Sequence, residues 1–240
     1  SNCNTPITLE SVAYFARGYF NAPKGKELED GKDVLGESYE NAMERFINEG
    51  FIEEIDGRRR VEKISKVSDL SNPINKIVVS RGNPLAKLMI IGEAPGATEE
   101  EIGEPFVGRS GKLLDKLLQN SGIDINRDVY FCNVVKCRPP QNRRPTKAEI
   151  QENLPWLYQQ IKLVNPRVIV LVGATALEAI LKIKSRISIL RGKWIDWEDR
   201  LVMPVFHPSY LLRNPSNEEG KPISLTKSDF LKIKEKIDFL

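Results

Sequence analysis

The sequence predicts an α/β fold, a central parallel-centred sheet with helices on both faces, preceded by a small N-terminal α+β extension. Three observations carry this. The runs LMII (residues 88–91), VYFCNVV (129–135) and RVIVLV (167–172) are apolar without alternation, as strands buried on both faces are. Amphipathic stretches with helical spacing separate them, giving the alternation of an α/β domain. Each strand also runs into a loop marked by glycine, proline or polar residues, which is where open α/β sheets bind ligands.

In chain order, residues 9–20 form a first helix and residues 23–36 a charged loop. Residues 37–49 form a second helix with Tyr39, Met43, Phe46 and Ile47 on one face, and Gly50 stands at its C′ position. Residues 51–55 and 58–64 flank Asp56-Gly57, the signature of a type I′ hairpin. Two helices and a hairpin resemble a small winged-helix unit reaching DNA through Arg58, Arg59 and Arg60; a packing extension or partner-docking module is the competing reading. The extension is taken as residues 1–64 and the main domain as residues 65–240, with residues 65–84 a polar linker lying across that domain.

Beyond the first strand, residues 92–108 hold four glycines and two prolines, which implies positive φ angles or close approach of a ligand to the backbone. Leu113, Leu114, Leu117 and Leu118 then form an apolar helical stripe closed by Gly122. A basic, proline-rich loop (136–145) follows the second strand, and Thr146 with Glu149 has capping-box spacing for a helix to about Val164. The third strand leads into a helix over 174–183. A hairpin over Glu198-Asp199 joins 194–197 to 200–206 and delivers His207 to another loop, and a last helix runs from about Thr226 to the end.

At 240 residues, 40% hydrophobic and 29% charged, the chain suits one α/β domain plus something smaller. No apolar run approaches the roughly 20 residues of a membrane span, and SNCNTPITLE has neither a basic n-region nor an h-region, so the expected location is cytoplasmic. Three cysteines (Cys3, Cys132, Cys137) make no even disulfide framework and point to a reducing compartment. Net charge is +3, but residues 1–60 carry 8 Lys/Arg against 12 Asp/Glu and the remainder 28 against 21. A basic main domain suits a polyanion, and equally a solvated basic face.

The chemistry-bearing residues gather just beyond strand ends, in GEAPG (92–96), GEPFVGRSGKLLDKLL (103–118), NVVKCRPPQNRRPT (133–146) and HPSYLLR (207–213). In order and spacing these blocks resemble the family 4 uracil-DNA glycosylases, over residues 65–213; residues 1–60 have no counterpart in that family. The resemblance implies a uracil-DNA glycosylase-like fold and hydrolysis of the N-glycosidic bond of a flipped deoxyuridine, releasing uracil and leaving an abasic site in base excision repair. It places Gly92, Ala94, Phe106 and Asn133 at the substrate, with Phe106 stacking on uracil. The Asn133 amide offers a donor and an acceptor that match uracil O4 and N3–H and mismatch cytosine. His207, the only histidine, resembles the residue that donates to uracil O2, where negative charge accumulates. In better-known uracil-DNA glycosylases the motif is GQDP, and its aspartate positions the attacking water. Ala94 stands in that place here, leaving Glu93 for the water or the sugar cation, or else to fix loop geometry. Glu99, Glu100, Glu101 and Glu104 read as solvated loop charges.

DNA contacts are expected from Arg109, Ser110, Lys136, Arg138, Arg143, Arg144, Ser209 and Arg213. Among Tyr210, Leu211 and Leu212, an apolar side chain either wedges into the duplex or packs in the core. The expected partner is uracil-containing DNA, single- or double-stranded, with other repair or replication proteins met through residues 1–64. Most family 4 enzymes hold a [4Fe-4S] cluster on four cysteines, and aligned from GEAPG those positions fall on Ser65, Ser68, Cys137 and Asn153. One thiolate of four remains, so no cluster and no other cofactor is expected. An active enzyme and an inactive or repurposed DNA-binding relative both fit a lost cluster; retention of Glu93, Phe106, Asn133 and His207 favours the active one. A covalently trapping relative is disfavoured, because GRSGKLL follows PFV directly with no basic insertion.

Overall fold

The computed structural model describes residues 77–240 and, further upstream, the strand residues 53–55 and 58–60. The backbone divides into two units, Asn2–Asn75 and Lys76–Leu240. In the first, β1 (Glu53–Ile55) and β2 (Arg58–Arg60) pair antiparallel, with Ile55 opposite Arg58, in the register expected for a two-residue hairpin. The two helices expected at 9–20 and 37–49, the winged-helix reading built on them, Ser65, Ser68 and the start of the linker lie outside the described residues.

The second unit is built on a six-stranded sheet of β3 (Arg81–Gly82), β4 (Leu88–Gly92), β5 (Val129–Asn133), β6 (Val168–Val172), β7 (Ile195–Trp197) and β8 (Arg200–Val205), in the order β3-β5-β4-β6-β8-β7. The four central strands are parallel and the two edges antiparallel, so the sheet is mixed. Every residue of β4, β5 and β6 is buried, which is why their apolar runs lack alternation. On one face, Leu88, Ile90, Phe131 and Val170 pack against α2 (Arg109–Asn120) and α7 (Pro222–Phe239). On the other lies α3 (Lys147–Val164), whose Gln160 Nε2 donates to the Tyr130 hydroxyl at 3.1 Å. After β6 comes α4 (Ala174–Leu181), and α5 (Ile187–Leu190) precedes β7.

Local expectations fare well where the chemistry is local. Thr146 Oγ1 accepts from Glu149 N at 3.2 Å, and the Glu149 carboxylate accepts from Thr146 N at 2.7 Å, completing the capping box of α3. Glu198 and Asp199 both take positive φ, 45° and 59°, as a tight hairpin turn requires. Three corrections follow. The stretch read as linker contains edge strand β3, which pairs Arg81 with Phe131. The glycine-rich loop contains a short helix, α1 (Ala97–Ile102), and another, α6 (Pro208–Arg213), follows His207. Helix α7 starts at Pro222, earlier than expected, because proline suits the first helical position. Among the described residues no helix is long and apolar enough to cross a membrane.

Parallel pairing decides where the loops emerge. Gly92 lies opposite Asn133, and Val172 opposite Val205, so the carboxyl ends of β4, β5, β6 and β8 form one rim.

Candidate active site

At that rim Gly92 provides the floor on which two other residues meet. A β-carbon at this position would stand 2.4 Å from Phe106 Cζ and 2.4 Å from Asn133 Oδ1, so only glycine permits both approaches. Phe106 is nearly buried, takes a positive φ of 59°, and tilts against Phe131 with ring centroids 5.9 Å apart. A phenylalanine in the left-handed region costs of order 1–3 kcal/mol and needs surroundings that impose it. Arg81 supplies them. Its Nε donates to Pro105 O at 2.7 Å and its Nη2 to Phe106 O at 3.2 Å, while Nη2 also pairs with Asp115 at 2.6 Å. The guanidinium lies 3.8 Å from the Phe131 ring centroid, and the backbone of Gly111 leaves room for the Phe106 carbonyl. Arg81 was not among the expected site residues, since nothing in a polar stretch read as linker marks it.

Asn133, the last residue of β5, is 3% exposed, and among the described residues no hydrogen bond occupies its side-chain amide. Its backbone is fixed instead: Lys136 Nζ donates to Asn133 O at 2.6 Å. The amide carries no hydrogen bond yet is not sealed from solvent, and it can receive a ligand edge with a matching donor and acceptor.

His207 caps the amino end of α6. Its Nδ1 accepts from Ser209 N at 3.1 Å and lies 2.8 Å from Ser209 Oγ. Because Nδ1 accepts a backbone N–H, the neutral ring carries its proton on Nε2. Burial pushes the imidazole below its ordinary value, against the pull of the Glu93 carboxylate and with a further push from Arg213, so the ring is neutral at pH 7. Ser209 thereby orients the ring. Glu93, half-buried directly after β4, accepts from Thr175 Oγ1.

Several expectations for charged and apolar residues need correction. Lys136 does not face phosphate: it is 3% exposed, and its ammonium is held by Asn133 O and Gln160 Oε1. Burial lowers its pKa, and the two acceptors compensate the lost water. Leu211 is fully buried, because the one-and-a-half turns of α6 aim only that member of its apolar triplet at the core, leaving Tyr210 and Leu212 exposed. Glu99 is no solvated charge: its carboxylate accepts from Gly96 N at 3.1 Å and Gly108 N at 2.8 Å, closing the loop on itself. Glu100 pairs with Arg138 at 3.0 Å. Arg143 clamps Glu149, and Arg144 bonds Thr175 and Glu178. Arg109 and Arg213 are exposed and Ser110 half-exposed.

The donor set for a cluster is poor. Cys137 is buried, and at the position of a fourth ligand Asn153 instead accepts from Lys136 N at 3.0 Å and donates to Glu149 O at 2.8 Å. A carboxamide already engaged on both ends cannot replace a thiolate, so among the described residues Asn153 does not fit the ligand set of a [4Fe-4S] group. The bond from Lys136 N ties the loop after β5 to α3, while the bond to Glu149 O stays within the helix.

Residues 79–233 match the Uracil DNA glycosylase superfamily. A type-4 uracil-DNA glycosylase of Thermotoga maritima is 48% identical over 161 residues, covering 65% of this chain and 83% of that protein. Type-4 uracil-DNA glycosylases of Saccharolobus solfataricus (39% identity; 66% of this chain, 74% of that protein) and Sulfurisphaera tokodaii (38%; 66% and 73%) are also similar.

Proposed function

The chain belongs to the uracil-DNA glycosylase superfamily, and from that premise we propose how its rim performs the reaction. It is a type-4 uracil-DNA glycosylase, a hydrolase that acts on uracil-containing DNA. The deoxyuridine leaves the stack and enters between Phe106 and Asn133, where the aromatic face supplies affinity and the amide reads O4 and N3–H. The bond from C1′ to N1 breaks with its electron pair passing to the base, and the negative charge spreads onto uracil O2. His207 Nε2–H donates to that oxygen. Glu93 faces the sugar cation and the water that adds to C1′, and the water's surplus proton is lost to the carboxylate or to solvent.

The observation that supports this reading best is the Ser209 N–H on His207 Nδ1, which leaves Nε2–H as a neutral donor. A donor placed in advance at a developing oxyanion contributes without reorganising, typically about 10²–10³ in rate. Arg109, Ser110 and Arg213 hold the flanking phosphates, with Tyr210 and Leu212 placed to fill the vacated stack. No cluster and no metal take part in any step.

A uracil-containing oligonucleotide incubated with the protein and then heated in alkali tests the reading. Strand cleavage is expected; none above a His207→Ala control overturns it. A cluster-free preparation is colourless and carries no stoichiometric iron, and broad absorbance near roughly 400 nm would refute that part.

A further inference from the structure

Glu93 does not stand alone. Thr175, the second residue of α4, is 3% exposed, and its hydroxyl donates to Glu93 Oε2. The direction of that hydroxyl is decided by a third residue: Arg144 Nε donates to Thr175 Oγ1 at 3.0 Å, while its Nη2 pairs with Glu178 at 2.9 Å. A guanidinium has no acceptor, so Thr175 must spend a lone pair on Arg144 and its hydrogen on Glu93. The Glu93 oxygen facing Thr175 is thereby occupied, and rotation of the carboxylate about its last torsion, otherwise broad, is restricted.

We propose that Thr175 is a positioning residue for the reaction, holding the Glu93 carboxylate so that its other oxygen faces the sugar and the attacking water, with Arg144 fixing the direction of the hydroxyl. The proposal rests on the catalytic reading of Glu93. It also accounts for an arginine that reads as a DNA contact in the sequence yet is bonded to α4: the basic loop after β5 reaches the first turns of α4, and through Thr175 the loop after β4.

The test uses multiple-turnover uracil release by the full chain, with kcat and KM measured separately. Thr175→Val keeps the volume and loses the hydroxyl; Thr175→Ser keeps the hydroxyl and loses a methyl. The valine variant is expected to lower kcat by about 10- to 100-fold with KM little changed, as a small misplacement of a reacting group does. The serine variant is expected to recover most of the rate. If Thr175 serves packing alone the order reverses, serine being the worse, and that result overturns the proposal. Glu93→Gln and the Glu93→Gln/Thr175→Val pair separate the two levels. A slow Glu93→Gln enzyme that the second change does not slow further supports the proposal, since groups acting as a unit are not additive. A slow Glu93→Gln enzyme beside a fully active Thr175→Val enzyme overturns the role of Thr175 alone. A fully active Glu93→Gln enzyme overturns the reading of Glu93 and the proposal with it.

Discussion

Two loops on the rim carry charge of opposite sign and put it to different uses. The loop over residues 93–108 and the loop over residues 136–146 are both rich in proline and charge, and both turn through the left-handed region, at Phe106 in one and at Gln141 and Asn142 in the other. In the first, the anchors are held from outside or by the loop's own backbone: Arg81 grips Pro105 and Phe106, and Glu99 joins Gly96 to Gly108. Its aromatic ring packs against Phe131 beside Gly92. In the second, most basic side chains are engaged by neighbouring acids and amides, Lys136 by Gln160, Arg138 by Glu100, Arg143 by Glu149 and Arg144 by Glu178. Charge at a rim is therefore no direct measure of DNA contact, because much of it holds the loop that carries it.

Arg144 with its Thr175 bond apart, this contrast makes the first loop a determinant of rate and the second a determinant of stability. The largest effect should come from Gly92→Ala. Its β-carbon would collide with Phe106 and Asn133, each at 2.4 Å. Uracil release should fall by about 10²-fold or more, the loss expected when reacting groups shift by about an ångström. An active Gly92→Ala enzyme would break the comparison at once. Next, Arg81→Ala removes two backbone bonds and the Asp115 pair from a side chain only 12% exposed. A loss of about 2 kcal/mol by denaturant titration, together with roughly 10-fold lower kcat/KM, is expected.

For the second loop, Asn153→Ala on α3 leaves the Lys136 N–H and the Glu149 carbonyl without that partner. About 1–3 kcal/mol of stability should be lost while kcat stays near the parent value; a loss of kcat with unchanged stability would reverse the contrast.

Two pH effects sharpen it further. His207 has a folded pKa lowered by burial, so the stability it supports is fully present above its ordinary 6.5 and is lost as pH falls through the lowered folded value, where the activity that needs the neutral ring is lost too. Protonated Nδ1 can no longer accept the Ser209 N–H, and a rate profile should be flat through neutrality and decline on the acid side. Glu149 is held at about 2, first by its hydrogen bond to Arg143, against an ordinary value of 4.5. Its contribution is present above 4.5 and disappears as pH falls toward 2. The smallest expected effect is that in Arg143→Ala the acid-induced drop in Tm begins at higher pH, with uracil release at neutral pH little altered.

The parallel sheet could be read from the chain because buried strands have an unmistakable composition, and the α3 cap because Thr146 and Glu149 are three residues apart. Asn133 and His207 were legible as residues at strand ends carried by motifs. What escaped depended on distant partners. Nothing local to Lys136 says that its ammonium will be buried against Gln160, 24 residues on. Arg81 acts on a ring and two carbonyls that arrive by sheet pairing, and Thr175 reads as an ordinary early-helix residue. Leu211 had a usable signal, since His-Pro-Ser is a helix start and a single short helix buries one position of an apolar triplet.

Thr175 and Glu93 meet across 82 residues of sequence, and Asn133 and His207 join them from two further strands. No short fragment of the chain holds these four residues together. Loop-closure entropy must be overcome for every parallel pairing before the rim exists, which makes such a topology comparatively slow to assemble. A chain emerging from synthesis thus holds Phe106 and Asn133 long before it holds His207, and the ability to cut a glycosidic bond arrives only with the completed sheet.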